Sequence, residues 1–378
     1  MKIIHLSNYM NHHQLPIAQN LYNSLGEDYK YIALDAVPER RVQLGYEDIN
    51  DKFSFIVRAY DSKERITLAK ELIADSGVLF VGHSEEKYFK NALKKGKPVI
   101  KISERFFKEN PTFINRVRQF IRAKRRLAKF QNKNFYFLCA SAYTDEDVNK
   151  YTNFKGKTYR WGYFTELKTY DSIENLISKK EENSILWVGR FIDWKHPETP
   201  ILVAKKLKEN GYNFKLNMIG TGDMEENLKK LILDNGLEDC VDILGSKTPK
   251  EVREYMEKSK IYMFTSDQQE GWGAVLNESM NSGCAVVTNS QIGSVPFLMR
   301  DNENGLVYNG NDIEEIYKRV KYLLDNPKTA EEFGKNAYYT IKDEWSPEIA
   351  ANRLLEFCKE IKDKGECSLF ESGPCSRI

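Results

Sequence analysis

The sequence predicts an α/β fold made of two doubly wound parallel-sheet domains that follow one another along the chain. Short apolar runs typical of buried strands alternate with amphipathic helical segments, which indicates βαβ units. The alternation pauses at 157–175 and then starts again. A chain of 378 residues is also too long for one ordinary core. We therefore predict domains at 1–165 and 166–345, and a loose tail at 362–378.

The individual elements follow from length and composition. The predicted strands of the first half are the apolar runs 2–7, 29–35, 53–59, 77–83, 97–103 and 134–141. Those of the second half are 183–190, 214–220, 240–245, 260–267 and 284–290. The predicted helices between them are 14–26, 62–77, 84–97, 198–211, 223–236, 249–259 and 312–327.

Composition excludes several classes of protein. Charged residues make up 30% of the chain and hydrophobic residues 41%, a soluble globular profile, and the net charge of +2 selects no partner. The first ten residues do not resemble a signal peptide, and no run approaches the ~18 apolar residues of a transmembrane helix. The six cysteines lack paired metal spacing. We expect a cytoplasmic chain with reduced thiols and no disulfide framework.

Polar side chains cluster after the strands of the second half, where ligands of open parallel sheets bind. Arg190 directly follows the strand "ILWVG", and Lys195 comes five residues later. An arginine fork and a lysine point charge at such a place suit a diphosphate. The alternative is that both are ordinary solvated loop cations.

The stretch "QQEGWGAVLNESM", 268–280, places Glu270 before a Gly-Trp-Gly turn and Glu278 two helical turns later. Gly271 and Gly273 let the backbone approach a ligand, and the helix that follows offers free N–H groups and a positive dipole end. Glu270 can then accept hydrogen bonds from hydroxyl groups. The alternative is a capping acid followed by a surface acid.

Together these segments carry a resemblance to a known family. "LWVGRFIDWKHPE", "LNMIGTGDMEENL", "VDILGSKTPKEVREYM" and "FTSDQQEGWGAVLNESMNSGCAVV" resemble, in order and spacing, the group 1 glycosyltransferases, the retaining family often numbered four and found in bacterial polysaccharide biosynthesis. The resemblance is strong over 183–310 and covers the first half by topology. It implies the GT-B architecture, two Rossmann-like domains facing across a cleft. It also implies a return helix at 346–361 that packs on the first domain.

The resemblance further implies the reaction. A hexosyl- or related glycosyltransferase would move a sugar from a nucleotide-diphosphate donor to a glycan or lipid-linked acceptor, with retention of anomeric configuration and without an essential metal. Arg190 and Lys195 would hold the diphosphate, Glu270 the sugar hydroxyls and Glu278 the ribose. The rest of the implied donor site is Gly189, Gly220, Thr221, Gly271, Trp272, Gly273 and Ala274. Phe297 stands where the family commonly has an acid, and Trp272 where phenylalanine is more usual.

Candidate catalytic groups of the first half follow its strands, and they join Glu270 in the second half. They are His13, His83 and Glu104, the last at a position where the family often has a histidine. Each histidine has a second interpretation, since His13 and His83 each precede a predicted helix and could cap it.

The motif Asp-x-Asp at 145–147 resembles the metal motif of the other large glycosyltransferase fold. It opens a predicted helix, where acids complement the helix dipole, so we predict a structural role and no metal ligands.

The segment 114–133 carries eight basic residues and no acid, and apolar residues recur on one face. A basic amphipathic helix suits an anionic membrane surface, which predicts peripheral contact with the inner face of the cell membrane. Nucleic acid is disfavoured because no aromatic binding platform accompanies the charge. The alternative is a solvated outer helix.

Two other functions stay open at this point. A sugar-nucleotide 2-epimerase of the same fold would need acid and base groups around C2 of the sugar and no acceptor site. A non-catalytic binding paralogue would keep the fold alone, and the joint presence of Arg190, Lys195, Glu270 and Glu278 disfavours it.

Overall fold

A computed structural model describes residues 1–39, 48–108 and 112–378 of the chain. The described chain forms two compact units, one made of Met1–Glu166 with Trp345–Ile378 and the other of Leu167–Glu344. Each unit contains one parallel sheet with helices around it. The predicted fold class, two parallel-sheet α/β domains, is confirmed.

The first unit is built on a seven-stranded sheet in the order β3-β2-β1-β4-β5-β6-β7. The strands are β1 Ile3–Ser7, β2 Tyr29–Ala33, β3 Ile56–Arg58, β4 Val78–Val81, β5 Val99–Ser103, β6 Phe135–Cys139 and β7 Thr158–Arg160. The helices are α1 Leu15–Leu25, α2 Lys63–Asp75, α3 Glu86–Lys94, α4 Phe113–Arg126, α5 Thr144–Asn149 and, from the chain's end, α14 Pro347–Lys364.

The second unit is built on a six-stranded sheet in the order β10-β9-β8-β11-β12-β13. The strands are β8 Glu181–Val188, β9 Lys215–Ile219, β10 Val241–Ile243, β11 Ser259–Phe264, β12 Ala285–Asn289 and β13 Gly305–Tyr308. The helices are α6 Ile173–Ser178, α7 Glu198–Glu209, α8 Glu225–Asp234, α9 Pro249–Lys258, α10 Ala274–Asn281, α11 Val295–Leu298, α12 Ile313–Asp325 and α13 Pro327–Asp343.

Both sheets reverse their strand order once, and this determines where ligands can bind. In the first sheet the order turns between β1 and β4, and in the second between β8 and β11. The loops that leave the carboxyl ends of two such neighbours run to opposite faces and leave a crevice between them. The loops after β8 and β11 contain Arg190, Lys195 and Glu270.

Helix α14 lies in the first unit, where it packs against α1. Its Phe357 ring meets the ring of Tyr159 edge-on, with centroids 4.7 Å apart. The segment after it was predicted to be loose, and this is wrong. Cys367 and Cys375 are buried, and Ser376 accepts a main-chain hydrogen bond from Arg160 at 2.8 Å. The segment is short and polar in sequence, but it pairs with the edge strand β7.

Strand β7 and helix α6 were not predicted, because the segment 157–175 has no clean periodicity. β7 is only three residues long and extends the sheet by pairing with β6. Its order depends on that neighbour and on the chain's last residues rather than on its own pattern.

Helix α13 supports the helix that carries Glu278. A Cβ added to Gly334 in α13 would lie 2.3 Å from the carbonyl oxygen of Gly283, two residues after the end of α10. Alanine normally favours a helix by about 1 kcal/mol over glycine, but here this main-chain contact opposes it. We predict that Gly334→Ala lowers the free energy of unfolding by about 1–3 kcal/mol, measured by urea denaturation.

The exposed substitution Glu332→Ala in the same helix is the control, and it should change stability by no more than about 0.5 kcal/mol. A Gly334→Ala protein as stable as the wild type would show that α13 does not pack tightly on α10.

Candidate functional site

The crevice of the second unit begins with two glycines whose backbones touch. A Cβ on Gly220, after β9, would lie 1.8 Å from the carbonyl oxygen of Gly189, after β8. The Gly189 N–H donates to the carbonyl of Ile219 at 3.0 Å. Gly220 has a positive φ of 150°, so glycine is required both for space and for backbone conformation. The close contact between these two residues of the predicted donor site fixes the position of the loop that leaves β8.

The loop after β8 is fastened to the end of β11. Thr265 donates its hydroxyl to the carbonyl oxygen of Lys195 at 2.8 Å, and it also contacts the carbonyl of His196 at 3.1 Å. Trp187 Nε1 in turn donates to the Thr265 hydroxyl at 2.8 Å, within the core. Lys195 is therefore held in place by its main chain, independently of what its ammonium group binds.

His196 fixes the same loop from the other side. It has a positive φ of 48°, and its Nδ1 lies 3.1 Å from Glu198 and its Nε2 3.5 Å from Asp267. The hydrogen bond with Glu198, together with the nearby Asp267 carboxylate, raises the pKa of His196 despite its burial. The His196 ring thus links the loops after β8 and β11.

Lys195 and Glu270 form an ion pair at the centre of the crevice. Each side chain is 12% exposed. The Ser266 hydroxyl also donates to the Glu270 carboxylate, at 3.1 Å. The sequence predicted these two residues to bind the diphosphate and the sugar, respectively. The structure brings them together and adds Ser266, whose type and position give no signal in the sequence.

The second predicted cation, Arg190, is exposed and faces the ring of Trp194, with Cζ 5.7 Å from the ring centroid. Lys195 Nζ lies 4.7 Å from the same centroid. The structure thus puts both cations beside one indole. Trp194 was not singled out in the sequence, although it stands between the two.

Gly273 is the N-cap residue of helix α10, and its φ is +85°. A Cβ at Gly273 would lie 2.4 Å from the ring of Phe264 and 3.2 Å from Cγ of Glu270, so this glycine makes room for the protein's own side chains. The neighbouring Gly271 and Trp272 are buried, and Ala274 opens the helix. Thr221 lies exposed at the end of β9.

Glu278 is partly buried on α10, and its carboxylate has no hydrogen-bond partner among the residues described. Burial raises the pKa of Glu278, and the nearby Arg253 opposes the shift without cancelling it. The Arg253 guanidinium is engaged with Asn281 at 2.9 Å and with the main-chain oxygen of Glu278 at 3.2 Å. The carboxylate is therefore available to bind hydroxyl groups.

Phe297 stands where the resemblance led us to expect an acid. Its ring is partly buried and its centroid lies 6.3 Å from that of the buried Trp272. The loop before it touches the site directly, because the Gly293 N–H donates to the carbonyl oxygen of Glu270 at 3.2 Å.

In the first unit, Glu104 follows β5 and is held by two donors. Tyr163 donates its hydroxyl to one carboxylate oxygen, and Lys108 Nζ contacts the other at 2.8 Å. The Tyr163 ring stacks on His13, with centroids 5.8 Å apart and planes within 5° of parallel. The sequence predicted Glu104 and His13, and Tyr163 connects them. A tyrosine in a segment without periodicity gave no signal for this role.

His83 is exposed at the end of β4, and its main-chain N–H donates to Ser7 Oγ at 3.3 Å. Neither histidine caps a helix. The N-cap residue is Gln14 in α1 and Glu85 in α3. Before α1, the Asn11 side chain accepts hydrogen bonds from the N–H groups of His13 and Gln14. The capping interpretation of His13 and His83 is therefore wrong.

Lys101 on β5 is a further unusual group that the sequence did not reveal. Its ammonium donates to the carbonyl of Gly82 at 2.8 Å and pairs with no carboxylate among the described residues. Burial lowers the pKa of Lys101 to about 8.

The Asp-x-Asp motif has structural contacts. Asp147 is buried and accepts from the N–H groups of Phe106 and Phe107, at 2.8 and 3.0 Å. Asp145 accepts from Asn149 and from Thr158, within α5 and from β7. These bonds account for both carboxylates.

Part of the chain is similar in sequence to known proteins. Residues 170–340 match the family model described as "Glycosyl transferases group 1". An uncharacterized glycosyltransferase of Haemophilus influenzae is 32% identical over 155 residues, 41% of this chain and 43% of its own. The amylovoran biosynthesis glycosyltransferase AmsK of Erwinia amylovora is 28% identical over 182 residues, 47% of this chain and 44% of its own. The match therefore spans less than half the length of these relatives.

Among solved structures, Anabaena HepE in complex with UDP is 14% identical to the chain and superposes with a TM-score of 0.70. The superposition covers 95% of this chain and 100% of HepE. At this identity the likeness shows the fold, and it extends over both units. Residues 170–340 are therefore similar to the group 1 glycosyl transferases, and the two parallel sheets give the chain the GT-B fold.

Proposed function

We propose that the protein transfers a sugar from a nucleotide-diphosphate donor to a glycan or lipid-linked acceptor, with retention of anomeric configuration. The observation that carries the proposal is the Lys195–Glu270 pair at the strand-order reversal of the second sheet, followed on α10 by the unpartnered Glu278 carboxylate. The Lys195 ammonium matches the diphosphate of the donor. The Glu270 carboxylate, which can accept hydrogen bonds from hydroxyl groups, matches its sugar, and the Glu278 carboxylate matches its ribose.

Arg190, Lys195 and the N-terminus of α10 bind the diphosphate in this proposal. The arginine offers a planar fork, the lysine a point charge, and the helix its first free N–H groups. Together they neutralise the charge that grows on the diphosphate as the glycosidic bond breaks. The reaction then needs no essential metal, and activity should survive treatment with a chelator such as EDTA.

Glu270 binds hydroxyl groups of the donor sugar in this proposal. The sugar gains positive charge as the bond to the diphosphate breaks, so a carboxylate close to it binds the transition state more strongly than the ground state. Attack comes from the side that the diphosphate leaves. A diphosphate oxygen takes the acceptor's proton, and no protein nucleophile is needed.

Glu278 binds the ribose hydroxyls. A half-buried carboxylate without a partner is costly in the free protein, and two hydroxyl donors would satisfy it. UDP is the first nucleotide to test, since HepE, which shares the fold, was solved in complex with UDP.

The first unit would supply the acceptor side. Glu104, held by Tyr163 and Lys108, and His13, stacked on Tyr163, form one connected polar group at the carboxyl edge of the first sheet. Such a group can bind and orient an acceptor hydroxyl. His83 is exposed at the same edge and has the same role in the proposal.

We also propose that α4 contacts an anionic membrane. Its exposed apolar side chains are Phe113 (81%), Ile114 (63%), Val117 (43%), Phe120 (45%) and Ile121 (43%). Its exposed basic side chains are Arg116, Arg118, Arg122, Lys124, Arg125 and Arg126. Helix packing buries Gln119 and Ala123 instead, which leaves the apolar residues open to the surroundings. Across the parts of the chain with described structure, no helix has the length and apolar content to span a bilayer, so contact would be peripheral.

The two acids of the crevice can be separated by their charge-removing variants. We predict that Glu270→Gln lowers kcat about 10- to 1000-fold, because it removes charge-assisted hydrogen bonds to the reacting sugar. The same variant should bind free nucleoside diphosphate more tightly than the wild type, since Lys195 is no longer neutralised by its partner. Titration calorimetry and initial-rate kinetics with UDP-sugars measure both quantities.

Glu278→Gln should behave in the opposite way. We predict nucleoside diphosphate affinity about tenfold lower, on the scale of one hydrogen bond to a charged group, and little change in kcat at saturating donor. Glu257→Gln is the matched control, because Glu257 also pairs with a lysine, Lys168, but lies at the end of α9, next to the start of β11. Lost nucleotide affinity in Glu270→Gln but not in Glu278→Gln would reverse the two roles. If the protein converts the donor into its epimer in the absence of an acceptor, the proposed function would be epimerisation and not transfer.

The membrane contact has its own test. We predict that the protein sediments with phosphatidylglycerol vesicles and not with phosphatidylcholine vesicles. Arg118→Gln with Arg122→Gln should weaken that binding by roughly 10- to 30-fold, at about 1 kcal/mol for each charge. Lys229→Gln with Lys230→Gln on α8 removes two exposed lysines from the second unit and is the control. Equal binding to both lipids, or equal loss in the control, would contradict the proposal.

A further inference from the structure

We propose that Trp194 is a positioning residue that holds both cations of the diphosphate site and sets their separation. This inference rests on the proposed function. It starts from the two distances at one indole: Arg190 Cζ at 5.7 Å and Lys195 Nζ at 4.7 Å from the ring centroid. Both lie within the range in which the face of a tryptophan attracts a cation, and tryptophan is the strongest of the aromatic side chains in this respect.

The ring is itself held by the loops on both sides of the crevice. Trp194 lies in a single 3-10 turn, Asp193–Lys195, and its main-chain oxygen accepts a hydrogen bond from the Asp267 N–H at 3.0 Å. His196, the next residue but one, contacts the Asp267 carboxylate as well. The main chain that carries the indole is therefore fixed, and long side chains that pack on the ring have little conformational freedom before a ligand binds.

Arg190 is the side chain that needs such support. It is exposed, and it forms no ion pair with any residue that the structure describes. A carboxylate could hold it, but a carboxylate would also neutralise it and compete with the diphosphate. An aromatic face attracts the guanidinium without removing its charge, so the cation stays available for an anionic ligand.

Lys195 differs, because it has Glu270 as a partner in the free protein. The contact with Trp194 keeps its ammonium beside Arg190 when that pair opens. Two cations on one rigid ring are then presented at a set spacing, which favours an anion with two phosphoryl groups over an anion with one. Trp194 would thus contribute to discrimination between diphosphate and monophosphate ligands.

Inorganic pyrophosphate and inorganic phosphate are suitable probes, because neither absorbs where tryptophan does. The other four tryptophans are each at most 3% exposed, whereas Trp194 is partly exposed. We expect pyrophosphate to change the indole fluorescence of the full chain, and Trp194→Phe to abolish this change.

Affinity supplies the second readout. Trp194→Leu should weaken pyrophosphate binding about tenfold and phosphate binding about threefold or less, measured by calorimetry, with Trp194→Phe restoring much of the loss. In transfer assays the Trp194→Leu protein should show a higher KM for the donor and little change in kcat. Tyr212→Leu is the matched control, since it removes a cation–π contact with Lys321, at 5.5 Å, on α12 of the same unit. It should leave pyrophosphate affinity unchanged.

Unchanged or stronger pyrophosphate binding by Trp194→Leu would overturn the inference while leaving the transferase proposal intact, provided that the wild type binds nucleoside diphosphate and transfers sugar. An equal loss for phosphate and pyrophosphate would overturn the part concerning spacing. A wild-type protein that binds neither pyrophosphate nor any nucleoside diphosphate would overturn both proposals.

Discussion

The ion pair between Lys195 and Glu270 is the interaction on which the second unit's site depends. The two residues come from loops that leave neighbouring strands, β8 and β11, where the strand order reverses. Each side chain is largely buried, and an unpaired charge at either position would carry a desolvation penalty. The free protein keeps both by pairing them. In the proposed function the donor replaces each partner in turn, since its diphosphate carries the charge that Lys195 needs and its hydroxyls the donors that Glu270 needs.

The pair is possible only because the surrounding backbone is packed unusually closely. Gly220 meets the carbonyl of Gly189, and Gly273 lies against the ring of Phe264 and the stem of Glu270. Thr265 connects the main chain of Lys195 to the buried Trp187. The glycines that the sequence suggested for contact with a ligand therefore also serve the protein's own loops. In the proposed function, Gly273 both lets the donor approach closely and leaves room for the side chain of Glu270.

Much of this could be predicted from the sequence, for a physical reason. Long strands and helices carry their own periodicity, and the chemical types of Arg190, Lys195, Glu270 and Glu278 stand out after them. What could not be predicted depends on contacts between distant segments. Strand β7 is three residues that need the chain's end beside them, and Tyr163 matters only because Glu104 and His13 meet it.

Six strands follow the same order in both sheets, but the sheets differ in the charged residues at the carboxyl ends of those strands. The second sheet's reversal point holds Arg190 and the Lys195–Glu270 pair, whereas in the first sheet it holds Ser7 packed against Gly82, where a Cβ would lie 2.5 Å from the hydroxyl. The charged group of the first unit lies one strand further along, at Glu104 after β5. In the proposed function, this difference favours an anionic donor at the second unit and a hydroxyl-bearing acceptor at the first. The same fold, used twice, can support two kinds of binding because the residues at a few strand ends differ.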